Sequence, residues 1–401
     1  MTTSAVNSRA FFKAFKETLI AYSFDVGGLF AGFMIASQIG IFELSPWAIA
    51  MYPAIVSAKG VIGGLISGRL GTALHLGIIY PRFFKNTKNF YKLIEAMIVQ
   101  TLLTSVMMSA VSLVFGYLLW GVTLADFSSI FAVVVATMAL GLTLSIITIK
   151  VAFISFEKGL DPDIIVYPIM STVADIFITI CYILVLNLFF LSGYLGKSAT
   201  VIICLVHLIL MLYFLLRNIR EEEFVKTIKE SLFTMVFVVF IVNVTGTILK
   251  QISTIIEGRR EIYTVYPAII DLVGDVGSVV GSTATTKLAL GFLKPSLSSI
   301  RNHSAHIVSA WASSMIMFVL LAFLSLGING IFTLSAFYNL ISILLIVNFI
   351  AVAAIIVVSY AVSILTFQKG LDPDNFVIPI ESSLADSITS IALLVALMLV
   401  K

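Results

Sequence analysis

Lys158-Gly159-Leu160-Asp161-Pro162-Asp163, continued by Pro168 and Ala174-Asp175, returns near the far end of the chain as Lys369-Gly370-Leu371-Asp372-Pro373-Asp374, with Pro379 and Ala385-Asp386. Every matched position lies 211 residues from its partner. A second match pairs Tyr52-Pro53-Ala54-Ile55 with Tyr266-Pro267-Ala268-Ile269 at an offset of 214, where Gly60, Gly63 and Gly77 also meet Gly274, Gly277 and Gly291. Self-similarity at a fixed spacing marks the chain as an internal duplication.

The duplicated unit lies in lipid. Hydrophobic residues make up 60% of the 401 positions and charged residues 11%, against roughly 25% charged in a soluble domain. Apolar runs of about 20 residues recur from end to end, the length an α-helix needs to cross a bilayer. This composition excludes nucleic-acid binding, a secreted disulfide scaffold and soluble cofactor chemistry. The two cysteines, Cys181 and Cys204, both fall in apolar runs, so no disulfide framework is expected. Arg9, Lys13 and Lys16 precede an apolar stretch in the manner of a signal peptide, but no small-residue cleavage site follows. That stretch reads as a retained first span.

Eleven spans are expected, near 17–42, 45–79, 92–120, 128–157, 161–191, 198–216, 231–256, 262–292, 304–327, 334–368 and 372–400. The fold class is therefore an all-α polytopic membrane protein. With the N-terminus inside, fifteen Lys and Arg fall on the cytoplasmic side and four (Lys197, Arg259, Arg260, Lys401) outside. This bias orients the chain with a cytoplasmic N-terminus and an external C-terminus in the cell membrane. Residues 1–192 form a first five-span repeat, 193–230 a linker span with a charged cytosolic segment, and 231–401 a second five-span repeat. A five-span unit starts inside and ends outside, so a second copy of the same orientation needs one extra crossing. Span six supplies it, and the repeats are parallel about an axis along the membrane normal.

Acidic residues inside spans are functional candidates by default. They are Asp25, Asp175, Asp271, Asp275 and Asp386. Asp175 lies 14 residues past Asp161, about 21 Å of helix rise, which puts it near the midplane if Asp161 is at the cytoplasmic surface. Asp161, Pro168 and Asp175 step by sevens and share a face, as do Asp372, Pro379 and Asp386. Two midplane carboxylates facing a common axis make a site for a hard cation. The plainer readings are an N-cap before proline for Asp161 and Asp372, and buried pairing with Lys59, Lys150 or Lys250 for Asp175 and Asp386. Asp271 and Asp275 share a face of span eight where the first repeat has Ser57 and Val61, so the halves are not chemically equivalent. Asp25 pairs with Asn243 by local sequence. His303 and His306, spaced i,i+3, read more readily as structural than as a metal site, and Lys85, Lys88 and Lys92 as contacts to lipid phosphates.

At these residues the sequence resembles the MgtE-type magnesium transporters, and more closely their duplicated solute-carrier relatives. The resemblance rests on Gly-Leu-Asp-Pro-Asp with its later Pro and Asp at 159–175 and 370–386, and on Pro53, Lys59-Gly60 and Arg69-Leu70-Gly71-Thr72. It implies two fused five-span units whose ion pathway follows the axis between them, complete as a monomer. It also implies pore acids at Asp175 and Asp386 and mouth acids at Asp161 and Asp372. Divalent cations, Mg²⁺ above all, are the expected cargo. No cofactor, enzymatic activity or nucleic-acid partner is implied, and lipid is the surrounding medium. The family's large cytosolic sensor is not expected ahead of residue 17, and Gly60-Val61 and Gly274-Asp275 stand where the family often has Gly-Asn. The competing readings are a secondary transporter of an organic solute or anion using Lys59, Arg69, Lys150 and Lys250, and an intramembrane aspartyl protease built on Asp275.

Overall fold

The computed structural model describes the backbone at residues 3–57, 70, 73–74, 76–158, 162–369 and 374–400. Among these residues all regular structure is helical. The helices are α1 (Thr3–Tyr22), α2 (Gly28–Ser37), α3 (Ile39–Phe42), α4 (Ala48–Ser57), α5 (Lys88–Phe115), α6 (Phe127–Glu157), α7 (Pro162–Phe190), α8 (Gly193–Asn218), α9 (Glu222–Ile256), α10 (Arg260–Ala289), α11 (Ser304–Ile328), α12 (Leu334–Val347), α13 (Ala353–Gln368) and α14 (Asp374–Leu399). A backbone in lipid must satisfy its own hydrogen bonds, and helices do so internally. Among the described residues ten segments are long and apolar enough to cross a membrane, and α4 lies in the expected second span.

Turn chemistry sets the ends. Thr87 caps α5 by accepting from the Phe90 N–H, and Thr333 caps α12 by accepting from the Ala336 N–H. A π-helical turn, Asn348–Val352, joins α12 to α13 in one continuous crossing. Its Asn348 accepts from the Trp311 indole N–H at 2.9 Å and donates to Ser314 at 2.9 Å. Inserted polar contacts of this kind accompany local changes of helical pitch. The charged segment after span six is no separate helix: α9 runs for 35 residues from Glu222 and carries it directly into span seven.

The chain packs as two compact units, Met1–Ser37 with Gln251–Lys401, and Gln38–Lys250. Sequence repeats and packing units thus divide the chain differently. The first span of the first repeat packs with spans eight to eleven, and the described part of span seven up to Lys250 packs with spans two to six. Glycine makes both exchanges feasible. A Cβ on Gly32 would stand 2.1 Å from the Thr264 carbonyl oxygen, and one on Gly246 would stand 1.9 Å from that of Ala50. Both pairs of positions are related by the offset of 214. Close backbone approach through small residues is how helices associate where lipid removes the hydrophobic drive.

The same register corrects one sequence pairing. With Gly32 equivalent to Gly246, Asn243 corresponds to Leu29 and Asp25 to Val239. Asn243 instead accepts from Ser112 at 2.7 Å within its own unit. Where α5 begins and α8 ends in that unit, Lys92 pairs with Glu221 at 2.7 Å, and Glu95 takes bonds from Asn218 at 2.6 Å and Arg217 at 3.3 Å.

Candidate ion-binding site

Asp175 sits on α7 in the 38–250 unit and is 7% exposed. Asp386, its repeat mate on α14 in the other unit, is half-buried. The surroundings of the two acids repeat closely. Thr179 donates its hydroxyl to the Asp175 carbonyl at 2.6 Å, and Ser390 donates to the Asp386 carbonyl at 2.7 Å. Each hydroxyl then meets a tyrosine from the second span of its repeat: Tyr52 at 3.0 Å from Thr179, and Tyr266 at 2.8 Å from Ser390. Both tyrosines and both hydroxyl residues are buried. Tyr52 and Tyr266 open the repeated Tyr-Pro-Ala-Ile, and Thr179 and Ser390 keep the offset of 211, but the sequence does not show that they meet.

The unit built on residues 1–37 and 251–401 holds Asp25, Asp271 and Asp275. Span one and α10 run antiparallel, Gly32 against Thr264 and Gly28 against Ala268. One turn further, that register brings buried Asp25, in the 3₁₀ turn Ser23–Gly27, level with half-buried Asp271. The equivalent positions in the other unit are Val239 and Ser57, so two acids share this level in one unit and none does at the matching level of the other. Asp275 lies a turn beyond Asp271 on α10 and is half-buried. A Cβ on Gly274 would lie 3.8 Å from that of Ala385, so α10 approaches α14 one residue before Asp386. Asp161 and Asp372 lie outside the described residues, as do Lys59 and Arg69.

Of the cations named as alternative partners, Lys150 and Lys250 are described. Lys150 is exposed, and Lys250 donates to the Trp120 carbonyl. The histidine pair resolves into a lysine clamp. Thr283 gives its proton to the Val279 carbonyl at 2.5 Å, so it accepts from His303 Nε2 at 3.1 Å. His303 Nδ1 is then a lone pair facing Lys287 Nζ at 3.2 Å, and His306 Nδ1 faces the same ammonium at 3.2 Å. Lysine thus occupies the point where the two imidazoles converge. Among the described residues no three His, Cys, Asp or Glu side chains gather into a metal cage.

A family model described as MgtE, divalent cation transporter, matches residues 52–185 and 266–396, about two thirds of the chain. The chain belongs to the MgtE family of divalent cation transporters. Each MgtE match begins at the repeated tyrosine and ends on the span that carries Asp175 or Asp386. Membership in the MgtE family makes the chain a transporter rather than an enzyme, which removes the aspartyl-protease reading. No curated protein matches the sequence. A crystal structure of the eukaryotic MATE transporter AtDTX14 aligns with a TM-score of 0.40 at 12% identity, covering 98% of this chain and 97% of that one.

Proposed function

We propose that this MgtE-family chain carries Mg²⁺ across the membrane, with Asp175 and Asp386 as acids of its ion pathway at mid-depth. The observation that supports this reading most is the twofold presence of an intramembrane acid inside an identical hydroxyl–tyrosine setting. Charged groups at that depth are costly and are retained where an ion pathway uses them. Mg²⁺ dehydrates reluctantly and needs few direct carboxylates, so two acids with water and backbone carbonyls suffice. Asp161 and Asp372 serve the cytoplasmic mouth. Asp25, Asp271 and Asp275 give one unit a more acidic lining than the other. The N-terminus lies in the cytoplasm and the C-terminus outside, and a single fused chain is the working unit.

The test is Mg²⁺ uptake by the purified protein in liposomes, with Co²⁺, Mn²⁺ or organic anions as competitors. Competition by the divalent metals is expected. Saturable uptake of an organic solute that ignores Mg²⁺ contradicts the proposal.

A further inference from the structure

Tyr52 with Thr179, and Tyr266 with Ser390, form the same arrangement twice, at equivalent positions of the two repeats. A hydroxyl has one proton. Thr179 and Ser390 spend theirs on the Asp175 and Asp386 carbonyls, so the tyrosines are the donors in the 3.0 and 2.8 Å contacts. Each Asp carbonyl therefore accepts from a side chain that is itself held by the neighbouring span. We infer that Tyr52–Thr179 and Tyr266–Ser390 are positioning residues that fix the rotation of the acid-bearing helices, and so set which divalent ion the carboxylates accept. This inference rests on the proposed role of Asp175 and Asp386.

The physical case has three parts. Successive residues of an α-helix point about 100° apart, so a small rotation of α7 or α14 swings a carboxylate away from its ion. A hydroxyl bonded back to the carbonyl four residues earlier also bends a helix, and a tyrosine holding that hydroxyl fixes the bend. Tyrosine is a stiff anchor, and in lipid its O–H has no water as an alternative partner. Another tyrosine contact between these spans is not reproduced: Tyr182 donates to the Ala48 carbonyl at 2.6 Å, yet its repeat position is Leu393. The hydroxyl link is retained in both copies where that contact is not. Mg²⁺ demands near-ideal octahedral geometry whereas Ca²⁺ tolerates irregular sites, so loosening the link is expected to weaken Mg²⁺ more than Ca²⁺.

The experiment compares Mg²⁺ and Ca²⁺ transport in liposomes for wild type, Tyr52→Phe with Tyr266→Phe, Thr179→Val with Ser390→Ala, and the hydroxyl-retaining Thr179→Ser with Ser390→Thr. The phenylalanine pair and the Val/Ala pair are each expected to raise the apparent KM for Mg²⁺ about fivefold, the size of one lost neutral hydrogen bond, and to lower the Mg²⁺-over-Ca²⁺ ratio. The Ser/Thr pair is expected to behave as wild type. A merely structural role reduces the amount of active protein and the maximal rate for both ions alike. Unchanged KM and ion ratio in the phenylalanine pair, or equal behaviour of the Val/Ala and Ser/Thr pairs, overturns the inference. The hydroxyl variants keep both tyrosines and decide the question if the phenylalanine pair does not fold. Asp175→Asn with Asp386→Asn runs in parallel. Its loss of transport beside normal kinetics in the tyrosine pair defeats the positioning role alone, whereas its normal transport defeats the proposed function.

Discussion

Alanine at Gly32 or Gly246 tests the exchange of first spans between the repeats. The added methyl carbon would stand 2.1 Å from the Thr264 oxygen in one case and 1.9 Å from the Ala50 oxygen in the other. Carbon–oxygen contacts settle at about 3.3 Å or more, so each helix pair must separate by about 1.2–1.4 Å. The obstacle is a helical backbone with no flexible end to yield. Overpacking of this kind costs about 1–3 kcal/mol, and each 1.4 kcal/mol is about a tenfold change in the folding equilibrium. Gly40 provides the control, since a Cβ there meets nothing within 4 Å. Thermal unfolding in detergent, followed by the monodisperse fraction on size exclusion, is expected to show Gly32→Ala and Gly246→Ala both clearly less stable than wild type and Gly40→Ala close to it. If all three variants unfold together with wild type, the glycine contacts are not what holds the exchanged spans.

Three further outcomes are expected. Hydrogen bonding from Lys92, reinforced by its charge, holds the Glu221 carboxyl below its ordinary value of 4.5. A depressed carboxylate adds stability above its unfolded value that is lost as pH falls through the folded one, so Glu221→Gln should flatten the fall of the unfolding temperature below pH 4.5; a fall as steep as wild type's would remove the Lys92 contact from the acid response. Lys287→Met leaves the facing nitrogens of His303 and His306 without their donor and should destabilise by about 1–3 kcal/mol, measured by the same unfolding assay; no change would mean the clamp is incidental. Asp25→Asn with Asp271→Asn should reduce Mg²⁺ flux without lowering the amount of folded protein. Wild-type flux would confine those acids to a structural role.

Much of the fold is legible in the sequence because lipid leaves few choices. Apolar length alone locates the spans, and the Gly-Leu-Asp-Pro-Asp repeat with its offset of 211 shows the duplication. The exchange of first spans is not legible. Gly32 and Gly246 are the same residue type meeting equivalent carbonyls, so nothing in the pattern distinguishes packing on one's own repeat from packing on the other. Asp-Val at 25 and Asn-Val at 243 look alike, and a slip of about one turn keeps the same helix face, so local sequence pairs Asp25 with Asn243 where the glycine register pairs it with Val239. The tyrosine links went unread for a different reason: a tyrosine inside an apolar signature reads as packing until its hydroxyl is seen against Thr179 or Ser390. The histidine pair shows the converse. Its i,i+3 spacing suggests metal ligation, and only Lys287, 16 residues before His303, explains its geometry.

The most direct measurement is Mg²⁺ entry into liposomes loaded with a Mg²⁺-sensitive dye, comparing wild type with Asp175→Asn and Asp386→Asn combined at matched protein density. Flux falling to the level of protein-free vesicles, with the folded protein intact, is the expected result. Flux equal to wild type would contradict a pathway that depends on these two carboxylates.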